Sequence, residues 1–152
     1  MNAQEKLLED IYSENIEICD FNFTDNLKGL YVDGIIAVDT SIDYDERTCI
    51  LAEELGHHYT TYGNILDPND PENRRQEKTA RFWAHQKLLP LEKLAKAAVD
   101  CQGMESWELA EYLGVSDIFL REALEEYKQR FGLFKKFPGG YIYFDPLSVV
   151  FV

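Results

Sequence analysis

The sequence predicts an α+β fold, a small antiparallel sheet packed on a helical core. Three observations predict it. Asp33-Gly34 separates two short apolar runs, helical spacing dominates from about residue 44 to 131, and aromatic and β-branched residues return near the end. At 152 residues the chain suits one domain with a core of its own. Its 45% hydrophobic and 13% aromatic content is that of a folded protein.

Leu7, Leu8 and Ile11 lie at helical spacing between Gln4 and Tyr12, and Ile16, Ile18 and Phe21 suggest a first strand. Leu30-Tyr31-Val32 and Ile35-Ile36-Ala37-Val38 flank Asp33-Gly34, a two-residue hairpin signal. A helix from about Tyr44 to Thr60 is capped by Asp43, with Glu46 three residues on, and Gly63 follows its end. Asp70-Pro71-Glu72 opens the next helix, Pro71 suiting its first position, and Pro90 closes it after Leu89. Further helices are expected over Leu91–Val99, Ser106–Tyr112 and Ser116–Phe131. A Pro138-Gly139-Gly140 turn then leads to strands at Tyr141–Phe144 and Val149–Phe151. The expected layout is one domain over 1–152. It has a sheet and site-bearing helix over 1–62, a helical middle over 70–131 and C-terminal strands over 133–152.

The net charge of −13, from 28 acidic and 15 basic residues, repels phosphate backbones and anionic membranes. A basic protein suits such a surface better. Cys19, Cys49 and Cys101 are odd in number and form no CxxC pair, so neither a zinc knuckle nor a disulfide framework is supported. The start Met1-Asn2-Ala3-Gln4-Glu5 has no apolar signal segment, and no run approaches the ~20 apolar residues of a membrane helix. The expectation is a cytoplasmic protein.

The chemistry lies in Leu51-Ala52-Glu53-Glu54-Leu55-Gly56-His57-His58-Tyr59. On a helix, Glu53 and His57 are four apart and share a face, so both can reach one metal ion. Glu54 lies about 100° round the axis, where a carboxylate reaches a water on the metal rather than the metal itself. This is the geometry of His-Glu-x-x-His zinc hydrolases, with Glu53 in place of the first histidine. Alone, an i,i+4 Glu–His pair is more often a solvated surface interaction. A third ligand on a neighbouring helix changes that weighing, and Glu77 is available.

With Glu77-Lys78-Thr79-Ala80-Arg81-Phe82-Trp83-Ala84 and Leu88-Leu89-Pro90, the chain resembles the ImmA/IrrE family of metallopeptidases, found in phages, integrative elements and radiation-resistant bacteria. That family reads His-Glu-Leu-Gly-His, then Glu-x-x-Ala-(Asn/Asp)-x-Phe-Ala, then Leu-Leu-Met-Pro. Glu54, Leu55, Gly56, His57, Glu77, Ala80, Ala84, Leu88 and Pro90 match, and Trp83 stands where Phe is usual. The resemblance implies a zincin-like domain with His57 and Glu77 as ligands and Glu54 as general base. Two departures stand out: Glu53 for the first ligand, and Arg81 for Asn or Asp. A Glu53–Arg81 salt bridge would orient Glu53 for the metal or divert it. Two carboxylates and one imidazole make a harder site, so zinc is expected with manganese or magnesium less disfavoured.

His58 pairs with Glu54 in an alternative i,i+4 register. His85, two turns past Glu77, reads as a packing or surface residue. Tyr59 and Tyr62 could present a phenol to an oxyanion, although aromatics here are more often core. Cys49 reads as buried and inert.

Ser106–Ser116 followed by an amphipathic helix resembles a helix-turn-helix. From Glu105 to Arg130, however, seven acidic residues face three basic ones, which opposes a phosphate-lined groove. By resemblance, the substrate would instead be a helix-turn-helix repressor whose cleavage derepresses a phage or mobile element. The rival expectation is a catalytically silent antirepressor that sequesters that repressor through the same cleft.

Overall fold

The computed structural model describes residues 1–61 and 70–152. Gly63, expected beyond the end of the site-bearing helix, and Tyr62 lie outside them. The fold is α+β, and the chain divides into two compact units, Met1–Ala84 and His85–Val152. No linker separates them: the division falls inside one helix, α3, which runs Pro71–Leu88.

In the first unit, helix α1 (Ala3–Ser13) starts where Asn2 accepts a hydrogen bond from the Glu5 N–H and buries Leu7 and Ile11. Strands β1 (Glu17–Phe21), β2 (Gly29–Val32) and β3 (Ile35–Asp39) follow. Asp33 and Gly34 both take positive φ, 47° and 79°, the conformation a two-residue hairpin of right-handed twist demands. β2 and β3 pair antiparallel, as the hairpin predicts. The sheet as a whole is not antiparallel, however. β1 pairs parallel with β3, giving the order β1-β3-β2 and leaving β2 at an edge. A parallel partner is chosen by non-local pairing, which no turn signal announces.

Helix α2 (Tyr44–Thr60) begins as expected, with Asp43 Oδ1 accepting from the Glu46 N–H at 2.8 Å. Gln4 ties α1 to it, donating to the Tyr44 carbonyl and to Thr48 Oγ1, both at 3.0 Å. Leu7, Ile11, Ile16, Ile36, Val38, Leu51 and Leu55 form the core of this unit. Each such side chain contributes roughly 1.5–3 kcal/mol on burial. An exposed pair such as Arg75–Glu72 contributes at most about 1 kcal/mol, so apolar burial decides the fold.

In the second unit, α4 (Leu91–Asp100), α5 (Ser106–Leu113) and α6 (Asp117–Phe131) are followed by β4 (Phe134–Phe137), β5 (Gly140–Phe144) and β6 (Leu147–Phe151). These strands form an antiparallel sheet in sequential order. β4 was not expected, since Phe134-Lys135-Lys136-Phe137 has one buried residue in four. Leu94, Phe119, Leu120, Tyr127, Ile142 and Phe144 form the core. The Tyr127 hydroxyl donates to the Leu89 carbonyl at 2.9 Å, and burial pushes its pKa upward. His85 is buried among Phe119 and Tyr127 with Nδ1 2.7 Å from Glu126 Oε1. It packs, as the sequence suggested.

α5 and α6 do form a helix pair across a short turn at Gly114. No helix among the described residues is long and apolar enough to cross a membrane.

Candidate active site

α2 is buried on most of its circumference, and its buried residues include a carboxylic acid and an imidazole: Glu54, 8% exposed, and His57, 5% exposed. Burying such groups is costly, so they mark a candidate site rather than a packing solution. Two glycines bring the neighbouring elements close to them. A Cβ on Gly29 would lie 2.3 Å from Ile50 Cγ2 and 3.2 Å from Glu54 Oε1, so β2 rests directly on the Glu54 face of α2. A Cβ on Gly56 would lie 2.6 Å from the Ala80 carbonyl oxygen, so α2 and α3 meet backbone to backbone.

At that second meeting His57 Nε2 lies 3.2 Å from Glu77 Oε2. The other ring nitrogen, Nδ1, lies 2.7 Å from Thr61 Oγ1 at the end of α2. The ring is thus oriented from behind with Nε2 aimed at the carboxylate. Burial disfavours charge on His57. The hydrogen bond to Glu77 and the charges of Glu77, Glu54 and Glu53 outweigh it and push the pKa up. Glu77 moves the other way. Its hydrogen bond to His57 lowers its pKa against partial burial, with the charges of His57 and Arg81 adding to the effect.

Glu54 has its pKa raised to about 7, mainly by burial and further by the charges of Glu53 and Glu77. The charge of His57 and a backbone hydrogen bond from Tyr31 partly oppose this. A carboxyl poised near neutrality can both accept and return a proton.

The other residues singled out from the sequence fall as follows. Glu53 is half-buried on α2, near enough for its charge to act on both Glu54 and His57. Arg81 is exposed, and its charge is felt by Glu77, one turn back on the same helix. His58 has both ring nitrogens engaged, Nδ1 with the Tyr31 hydroxyl at 2.6 Å and Nε2 with Glu14 Oε2 at 3.2 Å. Tyr59 is not core. It is 45% exposed, its ring lies against Trp83, and its hydroxyl donates to Glu14. Cys49 is buried, as expected. Thr61, Tyr31 and Glu14 were missed: Thr61 is four residues from His57 but lies past the last helical residue, and nothing in spacing relates Tyr31 and Glu14 to His58.

Whether these side chains suit a metal is a question of donor set. An oriented imidazole nitrogen and a carboxylate oxygen are two donors of a zinc site with its supporting hydrogen bond in place. Among the described residues no group of three His, Cys, Asp or Glu side chains is gathered to hold an ion. The fit is therefore to His57 and Glu77, with the third donor not drawn in.

The model of the IrrE N-terminal-like domain, a peptidase family, matches residues 13–125. The chain belongs to that family. The match spans the strands β1–β3, α2 and α3, and so contains Glu54, His57 and Glu77. No curated protein matches the chain. A peptidase family with a metal cofactor accounts for two buried ionisable residues on one helix, which packing alone would not select.

The Thr61 contact is open to test. Thr61→Val is expected to weaken metal binding about 10–100-fold by freeing the imidazole to rotate. Titration calorimetry with zinc checks this, and equal affinity would show that the hydroxyl does not orient the ring.

Proposed function

We propose that the chain is a metal-dependent endopeptidase whose substrate is a helix-turn-helix repressor of a phage or mobile element. His57 and Glu77 would hold a zinc ion, with manganese as an alternative and Glu53 as third ligand. The observation that carries this reading is the convergence of His57 Nε2 and Glu77 Oε2 beside a buried Glu54.

The roles follow from the environments. Thr61 holds the imidazole so that Nε2 stays directed at Glu77. A bound divalent ion would supply Lewis acidity toward the scissile carbonyl and the attacking water. Glu54, buried beside them, takes the proton of that water and returns it to the departing amine. Charge supports a basic partner. The unit that carries the site has 18 acidic and 7 basic residues, nearly all of the chain's net negative charge. DNA is disfavoured for the same reason, and the reading places the protein in the cytoplasm.

A second reading, a silent antirepressor that sequesters the repressor, draws support from two observations. Only two of the three candidate ligands converge among the described residues. Arg81 also directs its charge at Glu77.

Metal content after purification without chelators separates the two readings. Stoichiometric zinc that is lost in His57→Ala, with repressor cleavage that needs Glu54, is the expected result. Repressor bound intact by protein that takes up no zinc would establish sequestration instead.

A further inference from the structure

Among the described residues β2 lies at the edge of its sheet, paired with β3 on one side and resting on α2 through Gly29. The open side of an edge strand presents backbone groups that its own sheet does not pair. Tyr31 sits in the middle of this strand. Its backbone N–H bonds to Glu54, and its hydroxyl lies 2.6 Å from His58 Nδ1. His58 Nε2 in turn lies 3.2 Å from Glu14 Oε2. Glu14 Oε1 accepts from the Tyr59 hydroxyl at 2.9 Å.

The direction of this chain follows from what each group can do. A carboxylate only accepts, so the His58 Nε2–H donates to Glu14. In the neutral imidazole Nδ1 is then the acceptor, and the Tyr31 hydroxyl donates to it. Glu14 is the C-cap of α1, His58 is on α2 and Tyr31 is on β2, so one chain joins three elements beside Glu54.

We propose that Tyr31 is a positioning residue for Glu54, held against it by the hydrogen-bonded chain Tyr31–His58–Glu14. The hydroxyl fixes the open side of β2 to α2, and the backbone N–H of the same residue orients the carboxylate. This gives His58 a role that leaves neither of its nitrogens for a metal. The inference rests on Glu54 as the base, but its test does not need turnover.

In the metal-free protein, nuclear magnetic resonance would follow the residue 31 amide. Tyr31→Phe is expected to speed its hydrogen exchange about tenfold and move its proton upfield, while the β3 amides keep their protection. Glu14→Gln, a change on the surface, should act the same way more weakly. The double variant should exchange no faster than Tyr31→Phe alone, since both act through one chain. An unchanged residue 31 amide, additive effects, or β2 and β3 loosening together would overturn the proposal. Full repressor cleavage by Glu54→Gln would remove the proposed reaction and leave this exchange pattern untouched, so the two failures are distinguishable.

Discussion

Glu54→Gln is expected to stabilise the metal-free protein at pH 8 by about 3 kcal/mol, and to leave stability near pH 4 almost unchanged. The folded pKa of Glu54, about 7, lies above its ordinary value of 4.5. Below 4.5 the group is protonated in both states and its burial costs little. Between 4.5 and about 7 the unfolded chain releases the proton while the folded chain keeps it, so stability falls as pH rises. Above about 7 the full cost of the buried charge remains, and glutamine does not carry it. His57, also raised, contributes in the same sense: its partnership stabilises at low pH and fades as pH climbs through its folded value. Glu77, lowered, contributes stability above 4.5 that is lost as pH falls through its folded value.

Removing Glu54 also takes away one of the charges that favours protonated His57, so part of the gain is returned at intermediate pH. Urea unfolding of both proteins at pH 4 and pH 8, with chelator present, measures the difference. Equal stability at both values would mean that Glu54 is not held in a desolvated place. In the metal-loaded protein the same substitution is expected to lower cleavage by about 10²–10⁴-fold, the usual worth of a general base.

Gly56→Ala should part α2 from α3, costing about 1–3 kcal/mol and weakening metal binding at the same time. Two effects oppose one another here. Alanine is the better helix former by about 1 kcal/mol. Its methyl group, however, would stand 2.6 Å from the Ala80 carbonyl oxygen, and that oxygen belongs to a helix backbone with little room to yield. The steric cost should win. Because His57 is the next residue and Glu77 lies one turn before Ala80, the separation acts on the 3.2 Å gap between their side chains. Unfolding and zinc titration of the variant measure both effects. A variant about 1 kcal/mol more stable with unchanged zinc affinity would show that the helices have slack at this crossing.

Much of this protein was legible because it is local. Asp43 capping α2, Asp33-Gly34 turning the hairpin and Pro71 opening α3 each depend on residues within a few positions. The side chains at 53, 54 and 57 could be placed round a helix from 3.6 residues per turn alone. That arithmetic separated Glu54 from Glu53 and His57 before any fold was known.

What the tertiary structure decided is where those side chains find partners. The parallel pairing of β1, the strand β4 and the chain from Tyr31 to Glu14 all join groups that periodicity does not relate. The close approach of α2 and α3 is the plainest case, because nothing in the spacing of Gly56 and Ala80 relates them. Sequence spacing determines which side chains share a face of one helix. The distance between two helices is set by the smallest residues at their contact, and only the packed chain shows which those are.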